Sequence, residues 1–241
     1  MLTIDPKTEK TSIVHKYILG AVAPRPIAFA STLDNDGNLN LSPFSFFNAF
    51  SANPPILIFS PARRVRGNSI KHTLENVTQN NEVVISIVTA EMAQQVSLSS
   101  CDFEKGVNEF EKSGFTPVKS EIIKPFCVKE SPVNFECKVN QIISLGEEGG
   151  AGNLVICEIL KIHINEEILD DENNIDPLKL NALSRLGGNW YGKATKDSLF
   201  QLAKPIGIIG IGVDNLPEEI RNSSTLSGSD LAILASVENI P

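Results

Sequence analysis

The chain has 241 residues, 41% hydrophobic and 21% charged, which are values of a globular protein rather than of a disordered or membrane-spanning one. Its 29 acidic and 21 basic residues leave a net charge of −8; that argues against nucleic acid as a main partner, since counterion release needs a basic face, but leaves room for a small anionic ligand on a local basic patch. No apolar run approaches the ~18 residues of a membrane span, the N-terminus carries no secretion-signal pattern, and the expected compartment is cytoplasmic.

In chain order, the first strand signal is the β-rich run 27–33, preceded by Pro24-Arg25-Pro26. Asp34-Asn35-Asp36-Gly37-Asn38 reads as a hairpin turn, with 44–50 as the returning strand or its continuation. Asn53-Pro54-Pro55 breaks the chain before a short buried strand at 56–60. Ser69 is placed to cap a helix running to about Thr78, with Leu74 and Val77 on one face. Residues 83–89 alternate as a half-buried strand does, 90–99 read as a helix, and 101–131 are polar and loop-rich. Two long strands follow at 134–146 and 153–165, joined by the glycine-rich hairpin tip 147–152. The second is apolar on both faces, as in a central strand of a closed or covered sheet. Residues 170–174 form a solvated acidic turn. Successive strands without intervening helices predict a barrel rather than a doubly wound sheet. The composition changes near residue 194, separating a domain over 1–193 from an extension over 194–241. In the extension 195–203 reads as a helix, 206–213 as a strand or buried turn, and the rest as short helices.

The most informative charge feature is an absence. No Asp or Glu occurs between Asp36 and Glu75, an interval that holds Arg63, Arg64, Arg66 and Lys71 together with the hydroxyls of Ser60, Ser69 and Thr73. Lys71 and Thr73 fall at the start of the predicted helix, where free backbone N–H groups favour an anion. Two readings stand: a phosphate-bearing ligand, or a solvated basic loop. Just before it, Phe44, Phe46, Phe47 and Phe50 put four of the chain's fifteen aromatic residues within seven positions. Phe44, Phe46 and Ala49 cannot share one face of a regular strand, which predicts a bulge or bend that frees backbone groups to meet a polar ring edge. A flat heteroaromatic ligand against this apolar wall is one reading; ordinary core packing of phenylalanine is the other.

Other features carry less. Gly207, Gly210 and Gly212 do not form a GxGxxG strand–helix fingerprint. No GxSxG, SxxK or P-loop occurs, so hydrolase and ATPase readings lack support. The cysteines, Cys101, Cys127, Cys137 and Cys157, form no CxxC pair, and Cys137 and Cys157 read as small buried hydrophobes. His15, His72 and His163 lie far apart and make no HExxH or paired His–carboxylate spacing, so no metal site is expected. His163 reads as a hydrogen-bonded structural histidine rather than a ligand contact. Arg25, between two prolines, either reaches an anion or braces a turn. The cluster Gly187-Gly188-Asn189-Trp190-Tyr191-Gly192 lines a pocket or interface, or is a tight turn anchored by one buried Trp.

Taken together, Pro24-Arg25-Pro26 with the strand and turn to Gly37, the run 40–48, and Asn53-Pro54-Pro55 through Pro61 resemble the flavin reductase-like family. Lys71-His72-Thr73-Leu74-Glu75-Asn76 is similar to a Lys-Asp-Thr-x-x-Asn segment of many members, with His72 in place of the usual Asp. Ser131-Pro132, Phe135-Glu136-Cys137 and the element from Arg185 to Tyr191 also fit, so the likeness spans about residues 10 to 193. The resemblance implies a mainly β fold with peripheral helices, the antiparallel FMN-binding split barrel, acting as a homodimer with flavin near the subunit interface. By motif position, Ser45, Phe46, Phe47 and Asn48 border the flavin ring largely through backbone atoms. Ser60, Arg66, Lys71 and Thr73 approach the phosphate, and Trp190 and Tyr191 lie near the flavin or the nicotinamide.

The implied reaction is NAD(P)H:flavin reductase chemistry, hydride transfer from a nicotinamide nucleotide to FMN or sometimes FAD. The flavin carries that chemistry, so no catalytic dyad is required of the protein, and none is visible. Reduced flavin either leaves for a partner oxygenase or reduces a second substrate in place. The alternatives are a non-enzymatic FMN-binding or electron-carrier protein of the same fold, and an oxidase of the pyridoxamine-phosphate type.

Overall fold

The computed structural model describes residues 1–202 and 211–236. The chain divides into two compact units, Met1–Ser198 and Leu199–Pro241. The first begins with helix α1 (Thr11–Ala21), none of whose residues is buried. Strands β1 (Ala28–Leu33) and β2 (Leu39–Phe44) form a hairpin across the anticipated Asp34–Asn38 turn, where the Asp34 carboxylate accepts from the backbone N–H of Asp36 and Asn38. Next come β3 (Phe47–Ala52), β4 (Pro55–Phe59), α2 (His72–Asn80), β5 (Glu82–Ile87), α3 (Ala93–Ser99) and α4 (Glu109–Ser113). Then follow the short strands β6 (Pro117–Lys119) and β7 (Phe126–Val128), the long hairpin β8 (Val133–Ser144) and β9 (Asn153–Ile164), helix α5 (Pro177–Leu180), and a second hairpin, β10 (Ser184–Gly187) and β11 (Trp190–Gly192). The second unit carries α6 (Glu218–Arg221) and α7 (Gly228–Ala235), the latter opened by a Ser227–Asp230 capping box.

Seven strands form one antiparallel sheet in the order β2-β1-β5-β8-β9-β4-β3. Its two edges, β2 and β3, are separated in the chain only by Ser45 and Phe46. A two-residue step cannot span an open seven-stranded sheet, whose strands stand about 4.8 Å apart. The sheet therefore curls until its edges meet, and Ser45-Phe46 sits at the seam of a split barrel. This is the predicted break in the phenylalanine-rich run. β3 is further kinked by a bulge between Ala49 and Ser51.

The barrel interior packs Ala28, Ala30, Phe44, Phe59, Val83, Ile85, Cys137 and Cys157, and α2 closes it with Leu74 and Val77. The two interior cysteines act as the small hydrophobes expected, and burial pushes the Cys137 thiol up to about 12. A second core lies outside β1 and β2, where Phe29 and Leu41 meet Val96 of α3 and Phe110 of α4. One departure from the sequence reading is β5, which is buried on both faces over Val83–Ser86, not half-buried, with β7 packed against it and the Ser86 hydroxyl donating to Asn134 Oδ1. Three others concern local signals. α2 starts at His72, because the Ser69 hydroxyl is engaged by Arg64 and no side chain caps the helix. The helix expected at 195–203 is a single 3₁₀ turn, Lys196–Ser198, with no regular structure from Leu199 to Leu202; the strand or turn expected at 206–213 lies mostly outside the described residues. On β9 the outer face is uncovered at Leu160, Ile162 and Ile164, since no described element packs there. Among the described residues no helix is long and apolar enough to cross a membrane.

Candidate functional site

Two hollows adjoin beside the barrel seam. The first is a cleft of about 160 Å³ lined by Ile27, Pro43, Ser45, Val96, Arg185 and Tyr191. Its wall is the β10–β11 hairpin, where the Arg185 guanidinium lies 4.3 Å over the Tyr191 ring and donates to the Gly188 carbonyl at 2.8 Å. The hairpin is seated by Gly187, at φ 141°, whose missing Cβ would stand 3.1 Å from the Gly20 Cα and the Leu19 carbonyl of α1. Arg25 braces the same corner: it is buried, its guanidinium donates to the Leu19 and Val22 carbonyls, and its backbone pairs with Arg185. The structure thus decides for the bracing role.

The second hollow is polar and shares Ser100 with the first. Arg64, Lys71, Thr73, Asn40 and Glu109 line it at the N-terminal end of α2. Arg64 donates to the Ile70 carbonyl at 2.7 Å and pairs with the exposed Asp102 at 3.2 Å. The Lys71 ammonium lies 5.3 Å over the Phe44 ring. Burial, and then the neighbouring Arg64, hold it below the usual lysine range. Leu74 and Glu75 donate to the Lys71 carbonyl, which leaves the amides of His72 and Thr73 without a helical acceptor. Behind them the buried Thr73 hydroxyl donates to Asn40 Oδ1 at 2.7 Å, and Asn40 Nδ2 donates to Glu109 at 2.8 Å. Burial raises the Glu109 pKa, against the backbone N–H of Leu41 and the Asn40 amide, which lower it.

Residues 20–181 match the family model described as a flavin reductase like domain. The chain belongs to that family. A relative in Aquifex aeolicus, described only as an uncharacterized protein, is 38% identical over 181 residues, covering 75% of this chain and 90% of its own length. Among solved structures, nitrilotriacetate monooxygenase component B from Bacillus cereus superposes with a TM-score of 0.78 at 30% identity, over 84% of this chain and 98% of that one. The 2-nitrobenzoate 2-nitroreductase of Pseudomonas fluorescens gives a TM-score of 0.74 at 26% identity, over 88% and 100%. Flavin-related oxidoreduction is the chemistry that family membership and these neighbours support.

The paired hollows suit a flavin: two cations share one exposed carboxylate, a charge surplus for a phosphate, next to a cleft walled by an aromatic ring and apolar side chains. Of the ten residues that the resemblance assigned to the flavin, Ser45 and Tyr191 line the cleft and Lys71 and Thr73 the polar hollow. The others stand outside both. Phe46 meets His15 of α1 edge-on, with ring centroids 6.2 Å apart, and its carbonyl accepts from the Ser60 amide at 2.8 Å. Phe47 packs on the barrel core, and exposed Asn48 accepts from the Ala49 amide. Ser60 faces Gly152 at the β8–β9 tip, Arg66 is exposed, and Trp190 is 77% exposed rather than buried. Sequence reasoning left out Arg185, Ser100, Asn40 and Glu109. Arg185, inside the quoted Arg185-to-Tyr191 element, and Asn40, at the start of the quoted run 40–48, had a signal that could have found them.

Proposed function

We propose that the chain is an NAD(P)H-dependent flavin reductase, passing a hydride from a nicotinamide nucleotide to FMN, or to FAD. The observation that carries this reading is the adjacency of the two hollows, with Arg64 and Lys71 in one and Ser45 and Tyr191 in the other. Lys71, Arg64, Thr73 and the free amides at the start of α2 hold the phosphate, with Ser60 and Arg66 assigned to its outer side. Ser45, Phe46, Phe47 and Asn48 offer backbone groups along the seam to the ring edge, and Trp190 and Tyr191 border the nicotinamide side. Bound flavin supplies the hydride-accepting ring, so the chain needs no acid–base pair of its own. Arg185 keeps the Tyr191 ring from turning, which favours one stacking geometry. Residues 1–193 carry this activity, and 194–241 are an extension.

The reductase acts as a homodimer, a reading supported by the uncovered strip of Leu160, Ile162 and Ile164, which are 45%, 49% and 40% exposed on β9. The Bacillus cereus neighbour's place as a monooxygenase component supports delivery of reduced flavin to a partner oxygenase. The nitroreductase neighbour favours a second reading, direct reduction of an organic substrate by retained flavin. The test is NADH and NADPH oxidation by the purified full chain, with and without added FMN. Oxidation that requires FMN and saturates with it is the expected result. Oxidation by a yellow protein without added flavin selects the second reading, and FMN binding with no oxidation makes the protein a flavin carrier.

A further inference from the structure

A separate cluster of metal-ligating side chains shares no residue with the two hollows at the seam. Cys127 of β7, Glu136 of β8 and His163 of β9 converge beside a hollow of about 310 Å³. We propose that these three side chains form a binding site for a divalent transition-metal ion, with Zn²⁺ the ion the donor set suits best. One thiol, one imidazole and one carboxylate are a borderline-soft combination that selects zinc-like ions over Mg²⁺ or Ca²⁺.

The geometry is close to that of a formed site. The donor atoms all lie within 4.8 Å of one another. Zn–N, Zn–O and Zn–S bonds of about 2.0–2.3 Å place tetrahedral donors about 3.4–3.6 Å apart, so closing on an ion asks for movements of about an ångström. Glu136 is fully buried and held in place: its oxygens accept from the backbone N–H of Glu121, Ile122 and Ile123 at 2.7, 2.9 and 3.2 Å. His163 Nε2 already stands 2.7 Å from Glu136 Oε1, where an ion would replace the shared proton. That proton then sits on Nδ1, which faces Glu121 Oε1 at 3.9 Å, the carboxylate–histidine–metal arrangement that orients a ligating imidazole. The Ser120 hydroxyl lies 3.7 Å from the Cys127 sulfur. The net chemistry is one Zn–S, one Zn–N and one Zn–O bond formed and one proton released, from the Cys127 thiol. Water from the hollow fills the fourth position. Because the ligands sit on three strands, the ion would tie the β6–β7 ribbon to the main sheet.

The test is Co²⁺ titration of the full chain, treated first with chelator and kept reduced, read by absorbance. The expected result is one equivalent bound with a thiolate-to-cobalt charge-transfer band and intense tetrahedral d–d bands, all bleached by Zn²⁺. Cys137 and Cys157 are sealed in the barrel core and Cys101 is exposed, so Cys101→Ser must keep the band, which then belongs to Cys127. Cys127→Ser should abolish it, and His163→Gln should weaken Co²⁺ binding by about tenfold or more. No saturable band in the natural sequence, a band lost in Cys101→Ser, or a band that survives in folded Cys127→Ser overturns the proposal.

Discussion

Two glutamates, Glu109 and Glu136, are both shielded from solvent and behave oppositely. Glu109, behind the polar hollow, is 5% exposed and Glu136, beside β9, is 0% exposed. Desolvation is the largest influence on both, and it pushes both toward the neutral acid. Glu109 receives the backbone N–H of Leu41, its own backbone N–H and the Asn40 amide, which do not offset it, and its pKa stays raised. Glu136 receives three backbone N–H groups and His163, and its pKa is lowered. Glu109 lies deeper and Glu136 meets more donors, so depth of burial and the donors aimed at a carboxyl together set its charge.

The largest expected effect breaks the comparison at Glu136. Glu136→Gln puts an amide NH₂ against backbone donors, and in chelator-treated protein it should cost about 3–5 kcal/mol in urea melts, as loss of one member of a buried ionic network does. Glu109→Gln keeps one acceptor oxygen and should cost about 1 kcal/mol. Equal losses would show that the donor count does not matter. A middle-sized effect concerns the ligand. Lys71→Ala should weaken FMN binding by roughly 10- to 100-fold, the worth of about 1.5–3 kcal/mol for a charge-assisted hydrogen bond. Riboflavin, which lacks the phosphate, should bind both proteins alike in fluorescence quenching. Equal loss for both ligands would move the phosphate away from Lys71.

The smallest effect is a pair of opposite pH slopes. A lowered pKa means that Glu136 stabilises the fold above the ordinary glutamate range, near 4.3, and that this contribution fades as pH falls through it toward the folded value. The stability gap between the natural sequence and Glu136→Gln should shrink on acidification. A raised pKa at Glu109 means that its contribution is present below the ordinary range and is lost as pH rises through the folded value. The natural sequence should thus gain on Glu109→Gln as pH falls. Parallel slopes in chemical melts between neutral and mildly acidic pH would remove the distinction.

Much of the fold was legible because its signals are local. Asp34 to Asn38 and the glycines of 147–152 mark their hairpins by turn chemistry, and the two long strands between and after them follow from apolar runs. The acid-free interval from Asp36 to Glu75 pointed to Lys71 and Thr73, and composition needs no fold to be read. Other positions depend on partners far away in sequence. Ser69 has the side chain of a helix cap, yet Arg64 occupies its hydroxyl and α2 begins at His72. Residues 195–203 have helical composition, but of the described ones Leu199, Phe200 and Leu202 are exposed, without the apolar burial that stabilises short helices in water. β5 alternates like a surface strand and is covered all the same, by β7, which is distant in sequence.

By itself, then, the sequence determined the strands near 27–33, 56–60, 83–89, 134–146 and 153–165, the two hairpin turns, the basic stretch and a family likeness, since periodicity, turn residues and charge act over a few neighbours; it placed the strand after the first turn at 44–50, where β2 spans Leu39–Phe44, and gave no sign of β6, β7, β10 or β11. Only the tertiary structure decided that β2 and β3 close a barrel across Ser45-Phe46, that Ser100 joins two hollows into one elongated site, and that Glu136 and His163, 27 positions apart, stand 2.7 Å from each other. Each of these is a meeting of distant segments, brought about by burying a shared core, and no pattern within either segment encodes the other.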